Sequence, residues 1–558
     1  MVKKVFELVY KEVRGLHQAA YVLGLFAFGS QLLALVRDRL LAHQFGAGIE
    51  LDLYYAAFRI PDLMYVLFAS TLSVYVLIPF VAKRIVGEDS TQAQALLSQI
   101  FSAFLVIYTL LAFIVWAGAP FLLPYLFPGL SGSMEELVGI TRILLLQPLF
   151  LGVSSLFGVV TQLGHRFVLY AISPLIYNVG IITGIAVLYP HFGLQGLALG
   201  VVIGAAGHML VQVPLVRKSA LSFGLTHKIS WALMGNIMQL SVPRALTLAM
   251  NQIVLLVLLG IASVMTVGSV AVFQFAYNLQ SVPLAIIGAS YSIAAFPFLA
   301  DLFAQKKMDI FRLHIVTALR HIIFWSVPAI ALLIVLRAQV VRVVLGSGAF
   351  DWSDTRLTAA VLALLVVSLF AQAINLLVVR AFYAGGNTST PLWVTFFGSI
   401  GTIILAFFFY NIYSSANSFA QYFEVALRIE GVAGAEIAII ALCYSIAMCL
   451  QTAVLVFFAV RKFEIPMKWF FPNVGRSLSA ALVGALCAYT TLNLFVEGIN
   501  DTAFLGIFIQ GLLGGIAGIL GVVLAYHVLR SPELKEIYRA FHSRIFKTDV
   551  VAPQEDVL

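Results

Sequence analysis

The stretch that decides the architecture is Gln31–Pro79, QLLALVRDRLLAHQFGAGIELDLYYAAFRIPDLMYVLFASTLSVYVLIP. It reads as two hydrophobic helices joined by a turn at Phe45–Gly48 (FGAG), yet it carries Arg37, Asp38, Arg39, Glu50, Asp52, Arg59 and Asp62. Charge within an apolar span costs several kcal/mol on most scales, so such groups usually face a cavity or one another. The rest of the chain is almost free of internal charge, which makes this stretch the candidate site.

The surrounding composition sets the class. Of 558 residues, 61% are hydrophobic and 10% charged, against about 25% charged in a soluble domain. The chain therefore reads as an all-α polytopic membrane protein. Cys443, Cys449 and Cys487 lie in apolar runs without metal-ligand spacing and imply neither a metal site nor a disulfide framework. A basic N-terminus (Lys3, Lys4, Lys11, Arg14) leads directly into a long span, with no cleavable signal. At about 20 apolar residues per crossing, the pattern predicts fourteen spans. They lie near 18–43, 52–82, 96–124, 137–163, 167–189, 193–216, 231–263, 267–300, 312–336, 355–382, 390–414, 434–460, 474–496 and 503–529.

Basic residues orient the chain. With the N-terminus cytoplasmic, 23 Lys and Arg fall in inner segments and only Arg337, Arg342, Arg356 and Arg428 in outer ones. That is a positive-inside bias, and it places both termini in the cytoplasm. The net charge of +8 then reflects orientation, and no nucleic-acid partner is implied. An internal repeat supports the count. Ser173-Pro174, FGLQG (192–196) and Val216-Arg217-Lys218 recur as Thr390-Pro391, EGVAG (430–434) and Val460-Arg461-Lys462. LYYAAFRIP (53–61) and FAYNLQSVP (275–283) match more loosely. A spacing of six spans gives a parallel repeat, an arrangement that places substrate between the halves of a transporter. The expected organisation is an N-lobe over 1–223, a C-lobe over 224–465, two further spans over 466–530 and a cytoplasmic tail over 531–558.

Each charged residue has two readings. Arg37 and Asp38 point about 100° apart on a helix. Buried, they offer a guanidinium fork for phosphate and a carboxylate to orient it; otherwise they snorkel at a helix end. Arg59, beside the helix-kinking Pro61, lines a cavity or bridges to Asp62 or Asp38. Asp52 and Glu50 follow the turn and cap a helix N-terminus. Arg244, next to Pro243, is a second cavity charge or an inner-leaflet anchor. Arg320 and His321 read as interfacial, and His208 as a core histidine. No phosphate loop, HExxH or nucleophile elbow occurs, and no segment suits an ATPase domain. The composition points to a transporter rather than an enzyme, without a cofactor.

ALVRDRLLAHQFGAGIELDLYYAAFRIPDLMYVLF (34–68) resembles the lipid II flippases of the MurJ/MviN type, within the multidrug/oligosaccharidyl-lipid/polysaccharide exporter superfamily. RFVLYAISPLIYNVG (166–180), FAYNLQSVPLAIIGASYSIAAFPFLA (275–300) and RAFYAGGNTSTPLWV (380–394) extend the resemblance over about residues 20–530. It implies alternating-access flipping of undecaprenyl-pyrophosphate-linked peptidoglycan precursor across the bacterial cytoplasmic membrane, with cell-wall synthases as partners. Spans thirteen and fourteen would guide the lipid tail. Arg37, Asp38, Asp52 and Arg59 match the family's charged positions. Gln31, Tyr65 and Tyr277-Asn278 stand where the family carries further charges. The resemblance also suggests two alternatives: a flippase for another polyprenyl-linked saccharide, such as an O-antigen or exopolysaccharide unit, or a non-transporting scaffold for lipid intermediates. A drug/cation antiporter would want a more acidic cavity.

Overall fold

The computed structural model describes residues 16–71, 77, 81, 85, 90–164, 166–495 and 504–545. The end of the second expected span, the basic residues Lys3, Lys4, Lys11, Arg14, Lys83, Arg84 and Lys547, and the terminal VVAPQEDVL lie outside these. Among the described residues there is no strand. The helices are α1 (Leu16–Phe45), α2 (Ile49–Thr71), α3 (Thr91–Leu126), α4 (Met134–Leu144), α5 (Leu146–Leu163), α6 (Phe167–Thr183), α7 (Leu194–Leu210) and α8 (Trp231–Ser263). They continue as α9 (Ser269–Leu284), α10 (Ser290–Ala304), α11 (Met308–Val335), α12 (Arg337–Leu345), α13 (Trp352–Val367) and α14 (Leu369–Ala384). The last are α15 (Ser389–Ser415), α16 (Asn417–Leu427), α17 (Ile437–Phe463), α18 (Phe470–Thr490), α19 (Phe504–Val528) and α20 (Pro532–Ile545).

Among the described residues, eleven helices or helix runs are long and apolar enough to cross a membrane, and α13–α14, bent by 43°, make a twelfth if taken as one span. The remaining two of the fourteen expected spans fall on α1 and α2, and the end of the second lies outside the described residues. Arg37, Asp38 and Arg39 sit on the first, and Glu50, Asp52, Arg59 and Asp62 on the second. Segment 417–427, expected as loop, forms the amphipathic α16 instead. Pro174 lies inside α6.

Contacts divide the chain into two compact units. One comprises Met1–Tyr277, Val344–Val361 and Thr388–Ala447, and the other Asn278–Val343, Leu362–Asn387 and Met448–Leu558. This partition follows contact density, whereas the expected lobes follow the sequence repeat.

In the first unit α1 packs on α6, α6 on α7, and α2 on α4, α5 and α8. The α6–α7 pairing is dictated by glycines four apart, which share a helix face. A Cβ at Gly200 would lie 2.3 Å from the Cα of Gly184, and one at Gly180 2.2 Å from the Cα of Gly204. Such small-residue seams let helix backbones touch where apolar burial gives no drive between membrane helices. Gly200→Ala should force the two backbones apart, at a cost of about 1–3 kcal/mol as for other overpacked sites. Thermal unfolding in detergent checks this against Gly118→Ala, where a Cβ meets nothing within 4 Å. The repeated turns before α7 and α17 both use left-handed glycines, Gly193 (φ 58°) and Gly431 and Gly434 (φ 68° and 82°). Segment 219–230 is pinned to the polar edge of α3. Ser90 Oγ and Gln94 Nε2 each donate to Ala220 O at 2.6 Å, and Thr226 N donates to Ser102 Oγ at 2.8 Å.

In the second unit α18 and α19 pack together, and α18 also packs on α11. Tyr526 Oη donates to Phe324 O at 2.7 Å. The helix α20 is held to α11 by Arg320–Glu533 (2.7 Å) and His321–Glu536 (2.8 Å). The hydrogen bond from His321, helped by Arg320 and Arg539, holds the Glu536 carboxyl below its ordinary value of 4.5 despite partial burial. A depressed carboxylate stabilises the folded contact above its ordinary pKa, and that contribution is lost as pH falls through the folded value. Hydrogen-exchange protection of α20 amides, corrected for the intrinsic rate, should therefore fall as pH drops below 4.5. Glu536→Gln should show faster exchange at neutral pH and a shallower pH response.

Candidate charged site in the first unit

The turn between α1 and α2 fixes where the charges sit. Gly46 takes a φ of 59°, a conformation glycine adopts at no steric cost, and a Cβ there would meet Ala349 O at 2.7 Å. Ala349 N donates to His43 O at 2.9 Å, and Ala47 N to Asp354 Oδ2 at 3.2 Å. At 1.5 Å per residue, Arg37 lies about 12 Å before the turn and Arg59 about 15 Å after the start of α2. The two guanidiniums thus sit at similar helical distances from one rigid corner.

Although adjacent in sequence, Arg37 and Asp38 pair with each other. Arg37 Nε and Nη2 both donate to Asp38 Oδ1, at 2.9 and 2.8 Å. Arg37 Nη1 reaches Asn178 Oδ1 on α6 at 3.5 Å, and Asn178 Nδ2 donates to Ser30 Oγ (3.2 Å) and Pro174 O (3.1 Å). Asp38 is buried, while the Arg37 side chain keeps 22% of its surface. Arg59 is buried on α2; its Nε donates to Tyr55 O at 3.2 Å and its Nη2 lies 3.7 Å from Asp62 Oδ2. Of the two partners expected for it, Asp62 is the one it meets. Gln147 of α5 stands beside Asp62. Tyrosines complete the surroundings. Tyr54 and Tyr55 stand within electrostatic reach of Arg37 and Asp38, Tyr177 of Asp62 and Arg37, and Tyr277 of Arg59. The Tyr55 hydroxyl is buried and has no hydrogen-bond partner.

Asp52 is placed differently. Its carboxylate accepts from Gly268 N at 2.6 Å and Ala271 N at 2.8 Å. It therefore satisfies the start of α9, a helix more than two hundred residues away, rather than only complementing its own. Glu50 accepts from Tyr189 Oη at 2.9 Å. Gln31 is partly buried on α1. Tyr65 is partly buried on α2 and hydrogen-bonded to Ser155. Arg244 is partly buried on α8. Asn278 opens the second unit, where its carbonyl accepts from Ser281 Oγ at 2.6 Å. His208 bonds Ser154 Oγ at 2.7 Å, as a core histidine does. Among the described residues no three His, Cys, Asp or Glu converge as a metal set. Sequence reasoning missed Gln147, Tyr177 and Asn178. Their only signal was polarity within apolar helices.

Chemically, the cluster holds two guanidiniums, two carboxylates and a shell of tyrosines among membrane-length helices. That combination defines a multi-pass transporter able to meet an anionic group inside its helix bundle. The family model "Lipid II flippase MurJ" matches residues 41–513. This chain belongs to that family, whose members are transporters rather than enzymes. It is 27% identical over 393 residues to a probable lipid II flippase MurJ of Thermotoga maritima, covering 69% of this chain and 77% of that one. A solved lipid II flippase MurJ in an inward closed conformation superposes with a TM-score of 0.71 at 22% identity, covering 91% of this chain and 99% of that one. An inward-facing multidrug transporter of the MATE family, in the MOP superfamily, superposes with a TM-score of 0.62 at 14% identity over 78% of this chain and 94% of that one.

Proposed function

We propose that this chain flips lipid II across the bacterial cytoplasmic membrane, using Arg37 and Arg59 to receive the pyrophosphate. The observation that carries this is the incomplete engagement of both guanidiniums. Arg37 Nη1 has only a 3.5 Å contact to Asn178, and Arg59 Nη2 only a 3.7 Å approach to Asp62. Arginine presents five donors in a fork suited to phosphate oxygens, so both can add a ligand without losing their carboxylates. Asp38 orients Arg37, and the tyrosine shell supplies neutral donors and stacking faces for the sugar. Gln31, Tyr65, Arg244 and Asn278 are proposed as secondary lining positions.

Alternating access follows from rocking of spans 1–6 against spans 7–12, with the prenyl tail left in the bilayer along spans thirteen and fourteen. The basic-residue bias supports cytoplasmic termini and an inner-membrane location, and cell-wall synthases are the partners this role requires. A second reading, a flippase for another polyprenyl-linked saccharide, is favoured by Gln31 and Tyr65 at positions where the family has arginine. Rescue of cells depleted of their own lipid II flippase tests between them. Growth is the expected result, and no growth with well-expressed protein in the membrane would reject lipid II as substrate.

A further inference from the structure

We propose that Asp62 takes up a proton when the lipid headgroup engages Arg59, so that the headgroup is moved together with a proton. This rests on the headgroup reading above. Arg37, Asp38, Arg59 and Asp62 sum to zero charge before any ligand arrives. A pyrophosphate diester brings further negative charge into a site walled by apolar helices. Each uncompensated ion costs several kcal/mol there even after relaxation, so the site must release a carboxylate charge or admit a cation.

The geometry distinguishes the two carboxylates. Asp38 is held by two donors of Arg37 within 2.9 Å and its side chain is 5% exposed. Asp62 has one guanidinium contact at 3.7 Å and is 28% exposed, so water reaches it. Beside it stands Gln147, itself 4% exposed, whose side-chain oxygen has no hydrogen-bond partner. A buried orphan acceptor requires an explanation. A protonated Asp62 would gain the O–H that this oxygen lacks, closing a cyclic acid–amide pair with two hydrogen bonds. The ionised carboxylate, an acceptor only, cannot. In this step a hydronium ion gives its proton to one Asp62 oxygen: one O–H bond of hydronium breaks, the carboxyl O–H forms, and a water molecule leaves.

The other groups around Asp62 do not take this role. Arg59, Tyr54 and Tyr65 face it from α2 and Tyr177 from α6. Arg142 of α4 turns to Trp116 O and His208 of α7 to Ser154.

The test is lipid II binding to the full-length protein in nanodiscs, in weakly buffered solution with a pH indicator. Wild type should take up about one proton per lipid bound, and its affinity should weaken about tenfold per pH unit across the alkaline side of the transition, as linkage requires. Asp62→Asn should bind without proton uptake and without that slope. Infrared difference spectra of wild type provide a second measurement, in which a protonated-carboxyl C=O band should appear on binding. Binding by wild type with neither uptake nor band, or equal uptake by Asp62→Asn, would overturn the proposal alone. No lipid II binding by wild type would overturn the functional reading and the proposal with it.

Discussion

Arg59→Ala is expected to reduce lipid II affinity by at least about a hundredfold while leaving the helix bundle folded. A hydrogen bond to a charged group contributes about 1.5–3 kcal/mol, and a guanidinium can place two on one phosphate. Losing both exceeds the roughly 2.7 kcal/mol that corresponds to a hundredfold change. Folding survives because Asp62 is 28% exposed, so it is not stranded. Arg37→Ala differs in one respect: Asp38, 5% exposed, loses the partner bound through two donors. Breaking a buried pair costs about 3–5 kcal/mol, so that variant should lose stability as well as binding. Equilibrium binding in nanodiscs, with Arg59→Lys as an intermediate, separates the charge from the fork.

Asp52→Ala is expected to act on stability first. The Asp52 carboxylate is 2% exposed and accepts from two backbone N–H groups at the start of α9. Each donor left unsatisfied costs about 1–3 kcal/mol, giving about 2–6 kcal/mol in total. The corner it holds is tight. Gly268 takes a φ of 92°, and a Cβ there would lie 2.0 Å from Ala47 O. Asp52→Asn keeps one acceptor and should lose roughly half as much. The thermal midpoint in detergent, with faster hydrogen exchange at the 268–271 amides, is the measurement. Full stability with lost lipid binding would instead place Asp52 on the substrate. On the structure's evidence Asp52 is a positioning residue for the α1–α2 corner.

The opening stretch was legible because lipid makes charge conspicuous. Seven ionisable side chains in two otherwise apolar helices announced a site, and the FGAG turn announced the corner. Pairing was not legible. Whether Arg37 meets Asp38 or a distant span depends on rotamers, and a helical wheel places the two residues apart. Gln147, Tyr177 and Asn178 were hidden for a different reason. One amide or hydroxyl in a long apolar helix looks the same whether it bonds its own backbone or a residue a hundred positions away. The second use of Asp52 depended on a chain reversal near Gly268, a long-range contact that periodicity does not encode.

The central claim is that the paired charges of α1 and α2 receive the headgroup of lipid II. Proteoliposomes loaded with fluorescent lipid II, with transport read as loss of signal to an impermeant quencher, test it most directly. Wild type should translocate lipid II, and Arg59→Ala incorporated at equal density should not. Translocation by Arg59→Ala at the wild-type rate would contradict it.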